Sequence, residues 1–275
     1  MKFSKYVGAG NDFIFIDNRD FIFPAQDPLF IRKLCHRQCG IGADGVILLE
    51  NSSKADYKMR IFNSDGHEAE MCGNGSRCFY KFIHECTALQ KDAYVIETKE
   101  SCIKLAQDGS NIQVSMMNPC DIIWNMDLKL DSSNLKVHSL NTGVPHAVVF
   151  LDEIKDSDLK NLAPKIRYHE SFSKGTNVNF VKILSNNEIM VRTYERGIED
   201  ETLSCGTGVT ASAIAAAYLL QIPLPIKVNT KSNEQIEINC TINKESIQDV
   251  TMSGPAELVY KGEFVAAEFN NLRKS

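Results

Sequence analysis

Two short stretches decide the fold: Met71-Cys72-Gly73-Asn74-Gly75-Ser76 in the first half of the chain and Ser204-Cys205-Gly206-Thr207-Gly208-Val209 in the second. Both contain Cys-Gly-x-Gly, and both lead into segments with helical spacing, Ser76–Cys86 and Thr207–Gln221. The second segment is apolar on nearly every side, which is typical of a helix surrounded by other structure. The repeat predicts two domains of one design, each with a central helix whose N-terminus carries a cysteine.

The rest of the chain is dominated by short alternating or β-branched runs, separated by turn signals such as Asp108-Gly109 and Asn186-Asn187. Two more helices are expected, one from Asp27-Pro28 to near Gly40 and one over Asp156–Ile166. Much sheet and few helices predict an α+β fold with antiparallel or mixed sheet. The expected strands are Asp12–Asp17, Tyr57–Phe62, Tyr94–Thr98, Asn111–Met116, Ala147–Leu151, Val178–Ile183, Glu188–Tyr194, Ile226–Thr230, Gln235–Asn239 and Glu257–Tyr260.

Length and composition exclude several classes of protein. The 275 residues, 43% hydrophobic and 24% charged, are typical of a globular chain of one large or two medium domains. The formal net charge of −5 gives no reason to expect nucleic acid or a membrane surface as a partner. The longest apolar run, Ala211–Leu220, is shorter than the ~20 residues of a membrane span. The N-terminal stretch has no apolar signal-peptide segment, so a cytoplasmic location is expected.

The nine cysteines are an odd number spread over a long chain, which favours reduced thiols over a disulfide framework. Cys35 to Cys39 and Cys72 to Cys78 supply thiols, but no paired Cys-x₂-Cys or His-x₃-His spacing accompanies them, so no metal site is predicted. Cys78 and Cys86 fall on the apolar stripe of the first central helix and are expected in the core.

A cysteine at a helix N-terminus suits acid–base chemistry on an anionic ligand. Unpaired N–H groups and the helix dipole attract a carboxylate, and the same position lowers the pKa of a thiol. If the two domains pack about a pseudo-twofold axis, Cys72 and Cys205 would face one cleft. One thiolate would then remove an α-proton and the other thiol would return one on the opposite face, without a cofactor. The structural alternative is a tight turn with a buried thiol at each stretch.

The chain resembles the diaminopimelate epimerases, which are cofactor-independent amino-acid epimerases. Met-Cys-Gly-Asn-Gly followed by Cys-Gly-Thr-Gly is the most specific part of the resemblance. Proline racemases usually have histidine where this chain has Asn74, and phenazine-type isomerases lack the cysteine pair. The matching motifs are Gly8–Phe13, Gly40–Gly45, Phe62–Gly66, Met71–Cys78, Pro145-His146, Thr176–Val178, Glu195–Gly197, Ser204–Gly208 and Gly254–Ala256.

The resemblance implies a fold and an activity. The fold would be two similar domains related by a pseudo-twofold axis, each a curved mixed sheet wrapped around a central helix. Residues 1–116 with 255–275 would form the domain of Cys72, and residues 117–254 the domain of Cys205. The activity would be interconversion of LL- and meso-diaminopimelate in lysine and peptidoglycan precursor synthesis. The partners would be this small-molecule substrate and a second copy of the chain in a homodimer.

The resemblance also implies the site residues. Cys72 and Cys205 would be the acid–base pair, and His146 and Glu195 would support them. The backbone of Gly73, Asn74, Gly206 and Thr207 would hold the reacting carboxylate. The rest of the substrate, including its distal end, would contact Asn11, Asn63, Asn177, Glu195 and Arg196.

Residue by residue, plainer interpretations exist. Asn11 could form an Asx turn, His146 could be a loop histidine, and the pair Glu195-Arg196 could be solvated. Asn63 could simply end a strand at a turn, and Asn177 could pair with a sheet edge.

Three departures from the family pattern concern the distal end of the substrate. Val144 stands where many members have asparagine, Gly45 where some have glutamine, and Gly197–Thr202 is one residue longer than usual. They predict relaxed substrate specificity. Two alternatives remain open: a proline-type or broad amino-acid racemase of this fold, and a non-catalytic module that binds a carboxylate or phosphate.

Overall fold

The computed structural model describes residues 1–88, 90–130, 133–243 and 246–265. Chain contacts divide it into two compact units, Met1–Val114 with Gly254–Ser275 and Ser115–Ser253. The helices are α1 (Pro28–Cys35), α2 (Gly73–Cys86), α3 (Ala163–Arg167) and α4 (Gly206–Leu220), and a π-helical turn, Asp158–Leu162, precedes α3. The strands are β1 (Lys2–Gly8), β2 (Asn11–Asp17), β3 (Gly45–Glu50), β4 (Tyr57–Asn63), β5 (Glu68–Ala69), β6 (Ala93–Glu97), β7 (Cys102–Asp108), β8 (Asn111–Ser115), β9 (Cys120–Leu130), β10 (Ser133–Asn141), β11 (Pro145–Phe150), β12 (Asn177–Ser185), β13 (Glu188–Glu195), β14 (Asp200–Thr202), β15 (Ile226–Asn229), β16 (Gln235–Ile242), β17 (Ile247–Gly254) and β18 (Glu257–Glu263).

The sheet of the first unit runs in the order β18–β1–β2–β3–β4–β6–β7–β8, with β5 on β4. Its neighbours are antiparallel except for β2 with β3 and β4 with β6. A parallel pair needs a long crossover connection, and these two crossovers contain α1 and α2. Helix α2 packs against β1, β2, β3 and β7, so it lies in the middle of its unit.

The second unit repeats this plan. Its order is β9–β10–β11–β12–β13–β15–β16–β17, with β14 on β13, and its parallel pairs are β11 with β12 and β13 with β15. The crossovers contain α3 and α4, in the same places as α1 and α2. The predicted α+β fold of two similar domains, each a mixed sheet around a central helix, is therefore confirmed.

The central helices start at the two decisive stretches. Helix α2 begins at Gly73, three residues before the predicted start at Ser76, because Cys72 itself is the N-cap. In α4 every residue from Gly208 to Ala217 is buried, as its apolar sequence predicted. Small alanine side chains let several strands approach this helix closely.

Three local predictions need correction. Helix α1 is capped by Asp27 as expected but ends at Cys35 instead of near Gly40, because residues 36–42 turn back and donate backbone N–H groups to Leu34 O. The helix predicted over Asp156–Ile166 opens as a π-helical turn, and Pro164, which has no N–H, lies in the first turn of α3. Cys78 is buried as expected, whereas Cys86, the last residue of α2, is only half-buried.

The described residues were also compared with what membrane-spanning, metal-binding and disulfide-linked proteins require. Within them, no helix is both long and apolar enough to cross a bilayer. In the same part of the chain, no three His, Cys, Asp or Glu side chains cluster in a way that could hold a metal ion. All nine cysteines lie within the described ranges, and none of them forms a disulfide there.

Candidate active site

Cys72 caps the central helix of the first unit. Its backbone is extended (φ −141°, ψ 113°), and its sulfur accepts a hydrogen bond from Gly75 N at 3.4 Å. The first intrahelical bond runs from Ser76 N to Cys72 O, at 2.8 Å. The helical pattern therefore gives no acceptor to the N–H groups of Gly73 and Asn74, which are oriented to bind an anion. The thiol and the two amides lie together at one helix end.

Asn74 is held by a chain of side-chain hydrogen bonds that includes Asn11. The Asn74 amide donates to Asn11 Oδ1 at 2.7 Å, and Asn11 Nδ2 donates to Asp44 Oδ2 at 3.0 Å. A carboxylate can only accept, so Asp44 fixes the orientation of the Asn11 amide and, through it, that of Asn74. Asn11 thus lies beside the Cys72 helix end and orients the residue that follows Cys72-Gly73.

A cluster of charges lies next to Asn11. Asp12 pairs with the buried Lys5 at 2.7 Å and with Arg37 at 2.8 Å, and Arg37 also pairs with Asp44 at 2.7 Å. Lys5 also donates to Gly42 O. Burial alone would raise the pKa of Asp12, but the hydrogen bonds from Arg37 and Lys5 outweigh it and hold this pKa below its ordinary value.

Replacing Asp12 by asparagine should therefore destabilise the protein by about 2–3 kcal/mol at pH 7, because Lys5 would stay buried without its anion. A carboxyl group whose pKa is lowered by folding stabilises the fold above its unfolded pKa, here near 3.8, and less as the pH falls through the folded value. The difference between wild type and Asp12→Asn in urea unfolding should thus shrink between pH 5 and pH 3.

Asp17→Asn is the matched control, since the Asp17–Arg19 pair is 37% and 31% exposed. Such a surface pair contributes less than about 1 kcal/mol. Equal losses of unfolding free energy in the two variants would contradict the special role of the buried lysine.

Asn63 is the last residue of β4 and its side chain is exposed. It lies opposite Gly45 in the β3–β4 register, and the next residue, Ser64, donates its N–H to Asp44 O at 3.0 Å. Asn63 therefore lies at the same sheet end as the Asn11–Asp44 pair. A side chain at position 45 does not fit this backbone, because a Cβ there would lie 2.4 Å from Phe62 O.

Cys205 is the N-cap residue of the central helix of the second unit. Its backbone is extended (φ −120°, ψ 108°), and the first intrahelical bond runs from Val209 N to Cys205 O at 2.8 Å. As at Cys72, the N–H groups of Gly206 and Thr207 have no acceptor within the helix. The sulfur lies 3.5 Å from the Thr207 hydroxyl.

His146 reaches this helix end from β11 and is completely buried. Its Nε2 lies 2.9 Å from Thr207 Oγ1, and its Nδ1 lies 3.1 Å from Asn179 Nδ2. Burial, together with the nearby Arg196 charge, lowers the pKa of His146 to about 3, so the ring is neutral. His146 is thus a strand residue that contacts Thr207, and the loop interpretation is wrong.

Asn177, Glu195 and Arg196 lie together at the ends of β12 and β13. Asn177 Oδ1 accepts the backbone N–H of Arg196 at 2.7 Å, and Arg196 Nη1 donates to Lys174 O at 2.9 Å. Burial raises the pKa of Glu195 above its ordinary value. The guanidinium is therefore held in place by its own unit, with further N–H groups left to bind a ligand carboxylate.

The lengthened segment after Arg196 has its own anchor. Gly197 and Glu199 both adopt positive φ, 94° and 59°. The Glu199 carboxylate accepts from Gly197 N at 3.0 Å and from Arg167 at 2.9 Å. Glu201, further along, accepts a bidentate bond from Arg192. These contacts fix the loop that carries Arg196.

The second glycine of each Cys-Gly-x-Gly lets the helix start pack closely on its sheet. A Cβ at Gly75 would lie 2.7 Å from the terminal methyl of Ile47, and one at Gly208 would lie 2.3 Å from Asn179 Oδ1. The Ile47 methyl can rotate away, whereas the Asn179 amide is fixed by hydrogen bonds to Thr193 Oγ1 and Ala147 O.

Gly208→Ala should therefore lower the free energy of unfolding by about 2 kcal/mol, a usual cost of overpacking a rigid site. Gly75→Ala is the matched control at the same helix position, and it should stay within about 1 kcal/mol of wild type because alanine also favours the helix. Urea unfolding of both variants makes the comparison. A larger loss in Gly75→Ala would show that the Asn179 amide is not the rigid element.

Two residues of this site were not predicted from the sequence, Asn179 and Asp44. Asn179 follows Asn177 by two positions, and this spacing puts both side chains on one face of a strand. Two asparagines on the buried face of an apolar strand were the available signal. Asp44 had no such signal beyond its place in the Gly-Ala-Asp-Gly motif.

Solved structures define the class of protein first. The chain aligns over 96% of its length with a phenazine biosynthesis protein of the PhzF family from Bacillus anthracis, with TM-score 0.71 and 16% identity, covering 99% of that chain. It aligns equally far with a probable proline racemase from Agrobacterium radiobacter K84, with TM-score 0.68 and 14% identity, covering 92% of that chain. The protein thus has the two-domain α+β fold of these proteins.

Sequence relatives then give the family. The profile described as diaminopimelate epimerase matches residues 3–122 and 138–259. The chain is 42% identical to the diaminopimelate epimerase of Flavobacterium psychrophilum, over 95% of this chain and 99% of that protein. It is 38% identical to the chloroplastic diaminopimelate epimerase of Oryza sativa, over 96% and 80% of the two chains. The chain belongs to the diaminopimelate epimerase family, and the predicted resemblance is confirmed.

Proposed function

We propose that the protein is an isomerase that interconverts LL- and meso-diaminopimelate through an acid–base pair of thiols, Cys72 and Cys205. The observation that carries this proposal is the duplicated helix end, in which a cysteine is the N-cap residue next to amides that have no acceptor within the helix. Membership of the family whose named relatives are diaminopimelate epimerases supplies the substrate. The product belongs to lysine and peptidoglycan precursor synthesis.

In the proposed mechanism one sulfur, as thiolate, takes the α-proton of the substrate, and the other, as thiol, gives a proton to the opposite face. One C–H bond breaks and one forms, so no electrons are gained or lost and no cofactor takes part. The negative charge that develops next to the reacting carboxylate is stabilised by the backbone N–H groups of Gly73, Asn74, Gly206 and Thr207. The acid and the base are groups of the same chemical type, which suits a reversible reaction.

The other half of the substrate carries a second carboxylate and a second ammonium. We assign the carboxylate to Arg196, whose planar fork suits bidentate binding, and the ammonium to Glu195. Asn63 and Asn177 complete this distal site, and Asn11 orients Asn74 near the reacting end. Val144 and Gly45 offer no side-chain hydrogen bond there, so we expect weaker discrimination at the distal end.

Exchange of the α-proton tests the function directly. Purified, reduced protein in D₂O should replace the α-proton of LL-diaminopimelate by deuterium and form the meso isomer. Glutamate, lysine and proline in the same assay separate the proposed function from a broad or proline-type racemase. No exchange with any of them by folded, reduced protein would leave the anion-binding module as the better interpretation. If exchange of the α-proton of glutamate is below detection, the expectation of relaxed specificity is wrong.

We further propose that the protein works as a homodimer joined through β18. Among the described strands, β18 pairs only with β1, and its Leu258, Val259 and Tyr260 are 45%, 55% and 43% exposed. An apolar edge of this kind favours pairing with another strand. Sedimentation equilibrium should give twice the chain mass of 30.8 kDa, and Tyr260→Asp should shift the protein to monomer. A wild-type monomer at micromolar concentration would exclude the dimer.

We expect the enzyme to act in the cytoplasm, since both thiols must stay reduced for the proposed reaction.

A further inference from the structure

The two repeats differ at one place beneath their helix starts. In the first unit Phe13 lies beside Gly45 on β3, as His146 lies beside Asn177 on β12 in the second. Two residues along, Ile47 lies opposite Ile61, and its counterpart Asn179 lies opposite Thr193. Three apolar residues, Phe13, Ile47 and Ile61, are thus replaced in the second unit by three polar ones, His146, Asn179 and Thr193.

Contacts at the helix starts support this equivalence. A Cβ on Gly75 would meet Ile47 and Phe13, and a Cβ on Gly208 would meet Asn179 and His146. The three polar residues are at most 3% exposed. Buried polar groups in place of a good apolar core cost free energy unless they are fully hydrogen-bonded, so their presence points to a task.

The donor in each hydrogen bond of these three residues can be identified from its partner. Asn179 Nδ2 lies 3.1 Å from the carbonyl of Ala147, which can only accept, so the amide nitrogen is identified and the amide oxygen accepts from Thr193 Oγ1 at 2.9 Å. The other Nδ2 hydrogen then points to His146 Nδ1, at 3.1 Å, which must accept it.

A neutral imidazole that accepts at Nδ1 carries its proton on Nε2. That N–H donates to Thr207 Oγ1, at 2.9 Å. The Thr207 hydroxyl lies 3.5 Å from the Cys205 sulfur, and when this sulfur is a thiolate, which has no hydrogen, the hydroxyl must be the donor. The donors from Thr193 to His146 are therefore determined by their partners, and the last donor, Thr207, is determined by the thiolate form of Cys205.

We propose that Thr193, Asn179 and His146 form a fixed hydrogen-bond chain that holds the Thr207 hydroxyl as a donor to the Cys205 sulfur. Asn179 and His146 are positioning residues and carry no proton in the reaction. This hydrogen-bond chain stabilises the thiolate form of Cys205, and the three equivalent positions of the first unit are the apolar Phe13, Ile47 and Ile61. The inference rests on the proposed role of Cys205 as a catalytic thiol, but its main test needs no substrate.

Alkylation by iodoacetamide at pH 7, followed by mass spectrometry of the individual cysteine peptides, measures how much of each thiol is thiolate. Thr207→Val keeps the shape and removes the hydroxyl, and it should slow Cys205 alkylation about tenfold, the effect of one hydrogen bond to a charged acceptor. The Cys72 rate in the same sample should not change. Thr207→Ser should restore the Cys205 rate to within about twofold, since it returns the donor.

Asn179→Leu tests the start of the chain. It should slow Cys205 alkylation as Thr207→Val does, and the double variant should be no slower than either single one, because both act through one hydrogen bond. Ile47→Val, at the equivalent place in the first unit, is the control and should leave the Cys205 rate unchanged. Additive effects of Asn179→Leu and Thr207→Val would overturn the chain.

The tautomer of His146 can be measured in the wild-type protein, with the hydrogen-bond chain intact. ¹⁵N spectra of labelled protein, with His146 assigned by comparison with His146→Gln, should show a neutral ring with its proton on Nε2 at pH 7. A proton on Nδ1, or a charged ring, would overturn the inference.

An unchanged rate of Cys205 alkylation in Thr207→Val, together with an inactive Cys205→Ala, would reject the hydrogen-bond chain but keep the proposed function. A slowed rate with a fully active Cys205→Ala would reject the function.

Discussion

Replacing Cys72 or Cys205 by alanine is expected to lower the rate of inversion of LL-diaminopimelate by at least about 10³-fold, the contribution of a positioned acid or base. In these variants, exchange of the α-proton for deuterium should no longer be accompanied by inversion of the stereocentre. The remaining thiol can still take the α-proton that faces it and return deuterium to the same face. Each variant should therefore exchange one stereoisomer slowly without inverting it, and the two variants should prefer opposite stereoisomers. NMR of the α-position in D₂O follows both quantities.

Cys102→Ala is the matched control, because Cys102 is an exposed thiol outside both helix ends. It should keep the wild-type rate of inversion. If Cys72→Ala and Cys205→Ala both invert the substrate at the wild-type rate, the thiol mechanism is excluded. If both lose exchange for the same stereoisomer, the two sulfurs do not serve opposite faces.

The second large effect is expected at Arg196. Arg196→Leu should lower kcat/KM for LL-diaminopimelate about 10³-fold, since it removes a charge partner from the distal carboxylate and leaves that carboxylate poorly solvated. Arg196→Lys keeps the charge but loses the fork, and should fall about tenfold. The hydrogen bond from Nη1 to Lys174 O at 2.9 Å already fixes the guanidinium. The Arg196 side chain therefore loses little further conformational freedom when the substrate binds.

Lysine, used as an inhibitor, distinguishes binding of the distal carboxylate by Arg196 from an effect of Arg196 on the structure of its loop. Lysine is diaminopimelate without the distal carboxylate. Arg196→Leu should change the inhibition constant of lysine by less than about twofold, since the missing carboxylate has no partner to lose. Equal losses for lysine and diaminopimelate would instead mean that Arg196 acts on the fold of its loop.

Much of the fold could be predicted because its signals are local. The Cys-Gly-x-Gly stretches marked both central helices, and alternation marked strands such as β13 to within a residue or two. Strand β3 was missed because all of its residues are buried, so its centre, Val46 to Leu49, is a continuous apolar run without alternation. The end of α1 was missed because no glycine or proline stands at residues 36–39, where the chain turns back so that Ile41 and Gly42 donate backbone N–H groups to Leu34 O.

The candidate site divides in the same way. Motifs marked the thiols and the residues beside them, since those features are adjacent in sequence. The partner of His146 is Asn179, on a different strand, and only the β11–β12 register brings the two side chains together. A relation of this kind depends on which strands pair and in what register, and one sequence does not contain a local sign of it.

Strand β18 has a consequence for how the chain is made. It pairs with β1, so that Lys2 lies opposite Glu263, and β1 must wait during synthesis until β18 has been made. Strands β9 to β17 follow one another in sequence, and their unit can close while synthesis is still under way. Because closing so long a loop is entropically costly and slow, the unit of Cys72 is expected to mature last during biosynthesis. Until then the unpaired edge of β1 would be open to chaperones and to aggregation.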